Sequence, residues 1–250
     1  MPDTSGRDLL SRHAASFDAA ADAYERGRPS YPEAALDWLL PPGARRVLDL
    51  GAGTGKLTRQ VAARGLDVVA VDPSEAMLDR LRLAVPGVTA LRGTAEAIPL
   101  PSGSVDVALV AQAWHWVDPA VAVPEVARVL KPGGRLGLLW NHRDESEGWT
   151  RKLGALLARL GSMEDGSRAP RVGLPFGPVE RRDMRWSQPI DAAELLDLVA
   201  SRSYFIVLPD AEKAPVLDDV RALIAREPGF DGGGFVPMPY VTRCSRADLA

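Results

Sequence analysis

The segment VLDLGAGTGKLT, residues 47–58, is the first candidate for chemistry in this chain. It combines an acid, three glycines at alternate positions and a lysine, namely Asp49, Gly51, Gly53, Gly55 and Lys56. Glycine-rich turns let the backbone pass close to a bound molecule because no Cβ stands in the way. The segment therefore predicts a ligand-binding loop, and the neighbouring residue types decide which class of ligand it suits.

A nucleoside triphosphate does not suit this loop. A phosphate-binding P-loop needs four residues between its first glycine and a Gly-Lys pair, followed by Ser or Thr to hold magnesium. Here three residues separate Gly51 from Gly55, and Leu57 follows Lys56. A leucine cannot ligate a metal, so the segment misses the pattern at two positions.

A dinucleotide suits the loop only in part. The dinucleotide pattern is G-x-G-x-x-G; Gly51 and Gly53 match its first two glycines, and Lys56 occupies the place of the third. Asp49 would also repel a pyrophosphate, whereas it would attract a cation. A nicotinamide-dependent oxidoreductase is therefore disfavoured, and it remains the third hypothesis for this chain.

Five apolar runs alternate with helix-like segments through residues 47–141. They are rich in valine and leucine, as in strands buried on both faces, and read RVLDLG, DVVAVD, VTALRG, VDVALVA and RLGLLWN. Connections long enough for crossovers predict an α/β fold with a doubly wound Rossmann-like sheet and helices on both faces. Pro124 is expected to begin the helix after the fourth run, which then ends at a KPGG turn.

The pattern changes after residue 141. Helical segments are expected near 149–160, 192–202 and 215–226, and candidate strands lie at 179–188 and 238–246. We expect these strands to extend the same sheet, which is then mostly parallel with an antiparallel C-terminal strand.

The pattern D-x-G-x-G-x-G of residues 49–55 resembles the first motif of class I S-adenosylmethionine-dependent methyltransferases. Beside such a loop S-adenosylmethionine presents an ammonium and a sulfonium, which an acid attracts directly or through water. Residues 93–118 and 130–140 resemble the adenine-binding segment of the family and the turn and strand that follow it. The resemblance implies S-adenosylmethionine as cofactor, bound at the loop by Asp49, Gly51, Ala52, Gly53 and Gly55.

Asp72 ends the second apolar run, where an acid that binds the ribose hydroxyls is expected. A helix N-cap before Pro73 is the alternative interpretation of Asp72, and the sequence leaves both open. The resemblance also implies that Pro73 and Met77 contact the cofactor.

Five further residues are assigned to the cofactor site by the resemblance: Thr94, Ala95, Glu96, Gln112 and Ala113. The family commonly has an acid before Ala-Glu, and Thr94 stands in its place here. Adenine recognition would then fall to the backbone near Ala95 and the side chain of Glu96.

The segment FDAAADAYERGRPSYP, residues 17–32, also resembles small-molecule members of the family, in which a comparable segment covers the cofactor. This implies that Tyr24 and Arg28 reach the methionyl end, with Arg28 pairing with its carboxylate; a solvated Arg28 is the alternative. GRPSYP and AWHW together resemble the branch that contains trans-aconitate methyltransferase. The expected organisation is one domain, 1–250, with a cofactor-covering segment 1–40, a binding core 41–141, and lid helices and last strands in 142–250.

Methyl transfer from a sulfonium needs a base only if the acceptor must lose a proton. His115 in QAWHWVD is the best candidate base because its ordinary pKa lies near neutrality. The alternative is that the adjoining tryptophans pack in the core and that His115 only forms a hydrogen bond to nearby backbone, without a catalytic role. We favour this alternative. His142 is a weaker second candidate.

Composition limits the possible partners. A net charge of −3 without a basic stripe gives no reason to expect nucleic acid or a membrane. Cys244 is the only cysteine, and it forms no metal-like spacing with the three histidines, so no metal is expected. We expect a cytoplasmic monomer or homodimer that methylates the carboxylate or hydroxyl of a small organic acceptor. A non-catalytic S-adenosylmethionine-binding regulatory module is the alternative.

Overall fold

The computed structural model describes residues 28–146, 148–160 and 170–250. Within them the α-helices are α1 (Glu33–Leu39), α2 (Lys56–Ala62), α3 (Glu75–Ala84), α4 (Pro119–Val129), α5 (Gly148–Ala158), α6 (Ala192–Ala200), α7 (Ser203–Ile206) and α8 (Asp210–Ile224). The strands are β1 (Arg46–Leu50), β2 (Asp67–Asp72), β3 (Thr89–Arg92), β4 (Val105–Ala111), β5 (Leu130–Arg143), β6 (Glu180–Ile190) and β7 (Val236–Asp248). Short 3₁₀ helices cover Trp114–Trp116 and Pro228–Gly233. No helix in these three ranges is both long enough and apolar enough to span a bilayer.

The strands form one mixed sheet in the order β3-β2-β1-β4-β5-β7-β6. Parallel pairing joins β1 to β2 and β4, β2 to β3, and β4 to β5. The C-terminal strands are antiparallel, so the predicted fold class is confirmed. The strand order reverses between β1 and β4, which makes the carboxyl ends of these two strands the expected place for a ligand.

The parallel strands are buried on both faces. Successive side chains of a strand point to opposite faces, and Val47 and Leu48 accordingly join different apolar clusters, although both have no exposed surface. Val68 and Val69 on β2 divide in the same way. Burying each such side chain contributes about 1.5–3 kcal/mol, which holds the strand ends in fixed positions.

The chain divides into two compact units. Of the described residues, the first unit, called the core unit, contains 30–141, 170–184 and 242–250. The other, called the second unit, contains 28–29, 142–146, 148–160 and 185–241. The core unit contains α1–α4 and β1–β4, and the second unit contains α5–α8 with an apolar cluster of its own. The expected single domain with lid helices stays a prediction.

Two helix starts differ from expectation, and both involve proline. Pro124 does not begin α4, because the helix starts at Pro119 and the side chain of Asp118 caps it by accepting from the Ala120 backbone N–H. The helix α8 starts at Asp210 and contains Pro215. A proline removes the hydrogen bond to the carbonyl four residues earlier; those residues, Ala120 and Ala211, are exposed, so water can satisfy their carbonyls.

The predicted KPGG turn is also corrected. Lys131–Gly134 lies inside β5, where the pairing with β4 shifts between Val105–Leu130 and Val107–Arg135. The surplus residues form an irregularity in the strand, and Gly133 adopts a positive φ of 71° within it.

Candidate functional site

The glycine segment forms a tight turn between β1 and α2, at the point where the strand order reverses. Gly51, Gly53 and Gly55 all have positive φ, at 73°, 55° and 89°, which is the region that favours glycine. The backbone N–H groups of Gly51 and Ala52 donate to the carbonyl of Val71 on β2, at 2.8 and 3.1 Å. The turn is therefore fixed to the end of the neighbouring strand.

Close packing restricts Gly51 in addition to its backbone angle. A Cβ added there would lie 2.7 Å from the Cβ of Ala113, which follows β4. The sequence analysis assigned Gly51 and Ala113 to one site. In the structure they lie next to each other, where the strand order reverses between β1 and β4. What the site offers a ligand here is backbone rather than side chains.

Asp49 is buried completely near the end of β1. Its Oδ2 accepts a hydrogen bond from the Thr58 hydroxyl at 2.6 Å, while its Oδ1 is buried and has no hydrogen-bond partner among the described residues. Burial raises the pKa of Asp49 to about 7; the hydrogen bond from Thr58 opposes this rise, and the charge of Asp72 adds to it. A cation near the turn would favour the ionised form of this carboxyl.

Asp72 at the end of β2 binds the glycine turn directly. Its Oδ2 accepts from the Gly53 N–H at 2.8 Å, and its Oδ1 accepts from the Ser74 N–H at 2.9 Å. The N-cap interpretation of Asp72 is wrong, because Ser74 is the N-cap of α3 and its hydroxyl accepts from the Met77 N–H. Each carboxylate oxygen can accept more than one hydrogen bond, so Asp72 retains capacity toward hydroxyl groups of a ligand.

The remaining cofactor candidates of the core unit follow β2, β3 and β4. Pro73 accepts from Arg92 through its carbonyl at 3.2 Å, and Met77 is buried on α3. After β3, Thr94 is exposed and Ala95 is buried, while Glu96 accepts from the Asp118 N–H at 3.0 Å. The proposed adenine-binding segment is thus tied to the start of α4 through Glu96.

Gln112 has a positive φ of 59°, which is uncommon for a residue other than glycine. Its backbone N–H donates to Leu139 at 2.8 Å, and its amide nitrogen lies 3.4 Å from the carbonyl oxygen of Asn141. Unusual backbone angles of this kind cluster at ligand sites when the surroundings fix them. This conformation directs the chain away from the end of β4, next to the glycine turn.

His115 lies on the 3₁₀ helix Trp114–Trp116 and is exposed. Its Nδ1 lies 3.5 Å from Nε1 of Trp140, and its ring centroid is 4.7 Å from that of Trp116. Trp114 is buried in the core, as the packing interpretation expects, whereas Trp116 is only half-buried. His115 itself is therefore not a packed core residue.

Two of the described candidates, Arg28 and His142, do not lie in the core unit. Tyr24 falls outside the described residues. Arg28 belongs to the second unit, where its Nη2 donates to the Ser201 carbonyl at 3.1 Å. His142 also belongs to the second unit and is half-buried.

Sequence reasoning missed two polar residues of the core unit. Thr58 holds Asp49, and its signal was a hydroxyl on the otherwise apolar face of α2. Asn141 accepts from the Thr242 hydroxyl at 2.5 Å and donates to the Ser30 carbonyl at 2.8 Å. Ser30 lies 111 positions from Asn141 in the sequence, and Thr242 lies 101 positions from it. A local sequence pattern cannot indicate hydrogen bonds between residues so far apart.

Comparison with known proteins agrees with this geometry. Residues 48–138 match a family model described as a methyltransferase domain. An uncharacterised methyltransferase from Mycobacterium tuberculosis is 58% identical over 236 residues, covering 94% of this chain and 96% of that protein. A methyltransferase-like protein from Schizosaccharomyces pombe is 38% identical over 231 residues, covering 86% and 90%.

Solved structures share the fold. A candidate type II methyltransferase from Anaeromyxobacter dehalogenans is similar with a TM-score of 0.67 at 26% identity, covering 89% of this chain and 98% of that one. An N-methyltransferase from Haemonchus contortus, solved in complex with S-adenosylhomocysteine, has a TM-score of 0.55 at 18% identity, covering 98% and 60%.

Proposed function

Because this chain belongs to the class I S-adenosylmethionine-dependent methyltransferases, we propose that it methylates the carboxylate or hydroxyl of a small organic acceptor. S-adenosylmethionine supplies a methyl group that the positive sulfonium already activates. The chain then has to align the acceptor with this group and exclude water.

One observation supports the cofactor site above the others: a buried acid with an unsatisfied oxygen beside a turn free of side chains. Oδ1 of Asp49 offers negative charge and an acceptor without competition from a described residue. Asp72 offers a carboxylate at the end of the next strand, already oriented by two backbone N–H groups. These residues fit a ligand with an ammonium, a sulfonium and ribose hydroxyls better than they fit a polyphosphate.

The cofactor site we propose therefore follows the predicted residues of the core unit. It comprises Asp49, Gly51, Ala52, Gly53, Gly55, Asp72, Pro73, Met77, Thr94, Ala95, Glu96, Gln112 and Ala113. Tyr24 and Arg28 are proposed to reach the methionyl end of the cofactor. The resemblance to the trans-aconitate branch stays a prediction.

His115 is proposed as a base for acceptors that lose a proton. Its exposure and its position after β4 support this role. A carboxylate acceptor attacks without losing a proton and needs no base, whereas a hydroxyl acceptor needs one. We propose that the protein acts on free small molecules as a monomer or homodimer, without nucleic acid or membrane, in keeping with its small net charge.

The first experiment measures ligand class by calorimetry with S-adenosylmethionine, S-adenosylhomocysteine, NAD and ATP. We expect the two adenosyl compounds to bind and the other two not to bind. Tight binding of NAD without binding of either adenosyl compound would contradict the assigned site.

The second experiment screens carboxylic acids, phenols and amines with a labelled methyl donor. We expect methyl transfer to acids or hydroxyl compounds, and His115→Gln to lower kcat for hydroxyl acceptors while leaving carboxylates unaffected. His142→Gln tests the second candidate base, and it should leave kcat unchanged for both classes of acceptor if His115 is the base. Tight binding of the donor with no transfer to any acceptor would favour the regulatory module.

A further inference from the structure

A group of buried and half-buried polar side chains in the second unit, of which only Arg28 has been given a role toward the cofactor, lies together around one tyrosine. It consists of Arg28, Arg143, Arg202 and Tyr240, and is called the arginine cluster. The charges of the three arginines all act on the hydroxyl of Tyr240, and those of Arg28 and Arg143 act on Arg202. The Ser201 carbonyl, which accepts from Arg28, is adjacent in sequence to Arg202.

Strand pairing places two members of the cluster side by side. The Asp144 N–H donates to the Pro239 carbonyl at 2.9 Å, where β5 and β7 are neighbours in the sheet. In an antiparallel pair this bond sets Arg143 opposite Tyr240, at a position between hydrogen-bonded pairs. Side chains at such positions approach each other most closely, so Arg143 and Tyr240 share one face of the sheet.

Three hydrogen-bond donors of the cluster, one each on Arg143, Arg202 and Tyr240, are buried without an acceptor among the described residues. Tyr240 is 1% exposed, and its hydroxyl has no hydrogen-bond partner among the described residues. The Nε atoms of Arg143 and Arg202 are also buried without a partner in this part of the chain. Trp186 stacks on the Tyr240 ring, with the two ring centroids 5.2 Å apart, and this packing orients the Tyr240 hydroxyl. Buried donors left in this state are unfavourable, and an acceptor between them would satisfy them.

The positive charge of the cluster also favours a ligand that accepts hydrogen bonds and carries negative charge. Arg143 pairs with Glu145 at 2.8 Å, but Glu145 is 46% exposed, and Arg202 makes no ion pair with a described residue. Burial and the charges of Arg28 and Arg143 lower the pKa of Arg202 to about 10, so it remains protonated at neutral pH. Burial raises the pKa of Tyr240 although the arginines oppose this rise, so its hydroxyl remains a donor.

We propose that Arg143, Arg202 and the Tyr240 hydroxyl bind an anionic oxygen group, a carboxylate or a phosphate, carried by the methyl acceptor. Guanidinium groups bind two oxygens of such a group at once, and the tyrosine hydroxyl donates to one of them. The assignment of this group to the acceptor rests on the proposed function. It restricts the acceptor to compounds that carry an anion.

The test titrates malonate and inorganic phosphate into the full-length protein saturated with S-adenosylhomocysteine, by calorimetry at constant ionic strength. We expect at least one of the two anions to bind. Tyr240→Phe removes only the hydroxyl and keeps the ring stacked on Trp186, and Arg202→Met removes the charge. Each should weaken binding by about tenfold or more.

Arg185→Met is the matched control, because Arg185 is an exposed arginine of the same unit that pairs with Asp144. Its anion affinity should equal that of the unmodified protein. Stronger binding of malonate identifies a carboxylate, and stronger binding of phosphate identifies a phosphate ester. If Arg202→Met does not fold, Tyr240→Phe still gives the result.

Three results would overturn the proposal. The first is that neither anion binds while S-adenosylhomocysteine does. The second is an equal loss of anion affinity in Arg185→Met. The third is a parallel loss of S-adenosylhomocysteine affinity in Tyr240→Phe and Arg202→Met, which would assign the cluster to the cofactor carboxylate. Failure of the unmodified protein to bind S-adenosylhomocysteine is a separate result and contradicts the proposed function instead.

Discussion

Asp49→Asn removes a buried charge and keeps the shape of the side chain. Burial raises the pKa of this carboxyl from 3.8 to about 7 in the folded protein, with a contribution from the charge of Asp72. Above pH 7 the carboxyl is ionised in both the folded and the unfolded states. Folding then has to bury a charge, and at 1.36 kcal/mol per pKa unit this costs about 4 kcal/mol.

The pH dependence follows from the same two pKa values. Below pH 3.8 the carboxyl is protonated in both states, so Asp49→Asn should change the free energy of unfolding little. Between 3.8 and about 7 only the unfolded state is ionised, and the advantage of the variant should grow by about 1.4 kcal/mol per pH unit. Above pH 7 the advantage should be constant. Urea unfolding followed by circular dichroism at pH 5, 6, 7 and 8 measures this difference.

Affinity should change in the opposite direction. The asparagine carries no negative charge for the ammonium and sulfonium of S-adenosylmethionine, so calorimetry at pH 8 should show weaker binding despite the higher stability. In the unmodified protein the affinity should fall as the pH falls below about 7, because a cation favours the ionised form of Asp49.

Asp106→Asn is the matched control, because the pKa of Asp106 is shifted in the opposite direction from that of Asp49. Burial acts to raise the pKa of Asp106, but Lys131 and the backbone N–H groups of Arg46 and Arg45 outweigh it and lower the pKa to about 2. Asp106 therefore stabilises the fold above pH 3.8, and its replacement should destabilise the protein at pH 8. A difference for Asp49→Asn that does not depend on pH, or a loss of stability at pH 8 as for Asp106→Asn, would refute the reasoning.

Three further substitutions test the site and its support. Asp72→Ala should weaken S-adenosylhomocysteine binding by about 1–3 kcal/mol in calorimetry through lost hydrogen bonds; unchanged affinity would limit Asp72 to holding the turn. Gly51→Ala should lower both affinity and the urea midpoint, since its Cβ would lie 2.7 Å from a neighbouring Cβ. Gly65→Ala is its control, with a similar φ of 78° and open space, and equal losses would exclude the packing argument. Thr242→Val should cost about 1–3 kcal/mol of unfolding free energy by leaving Asn141 Oδ1 without its donor; an unchanged midpoint would contradict this.

The sequence predicts the parallel part of the fold well because its signals are local. Continuous apolar runs marked β1, β2, β4 and β5, and alternate glycines marked the turn after β1. The helix starts at Pro119 and Asp210 were missed because an internal proline, Pro124 or Pro215, was expected to mark the start. Each proline removes only one helical hydrogen bond, and water can replace that bond at an exposed carbonyl. The irregularity at Lys131–Gly134 was missed because it depends on the register with β4.

The candidate site was predictable to the extent that its residues end predicted strands. Asp49 and Asp72 were found in this way, and their roles as ligands stay predictions. Thr58 was missed although it lies in the quoted segment, because a hydroxyl that holds a buried acid looks like any helical threonine. The arginine cluster was missed because Arg143, Arg202 and Tyr240 are far apart in the sequence, and pairing of β5 with β7 brings two of them together.

The irregular stretch Lys131–Gly134 is a place in β5 where a change in chain length need not reverse the later side chains. A one-residue insertion in a regular strand turns every later side chain to the opposite side. Here the pairing with β4 resumes at Arg135 whatever the path between, so residues can be added or lost in this stretch while Asn141 and Arg143 keep their orientation. Relatives of this chain are therefore expected to tolerate insertions here and not in the rest of β5.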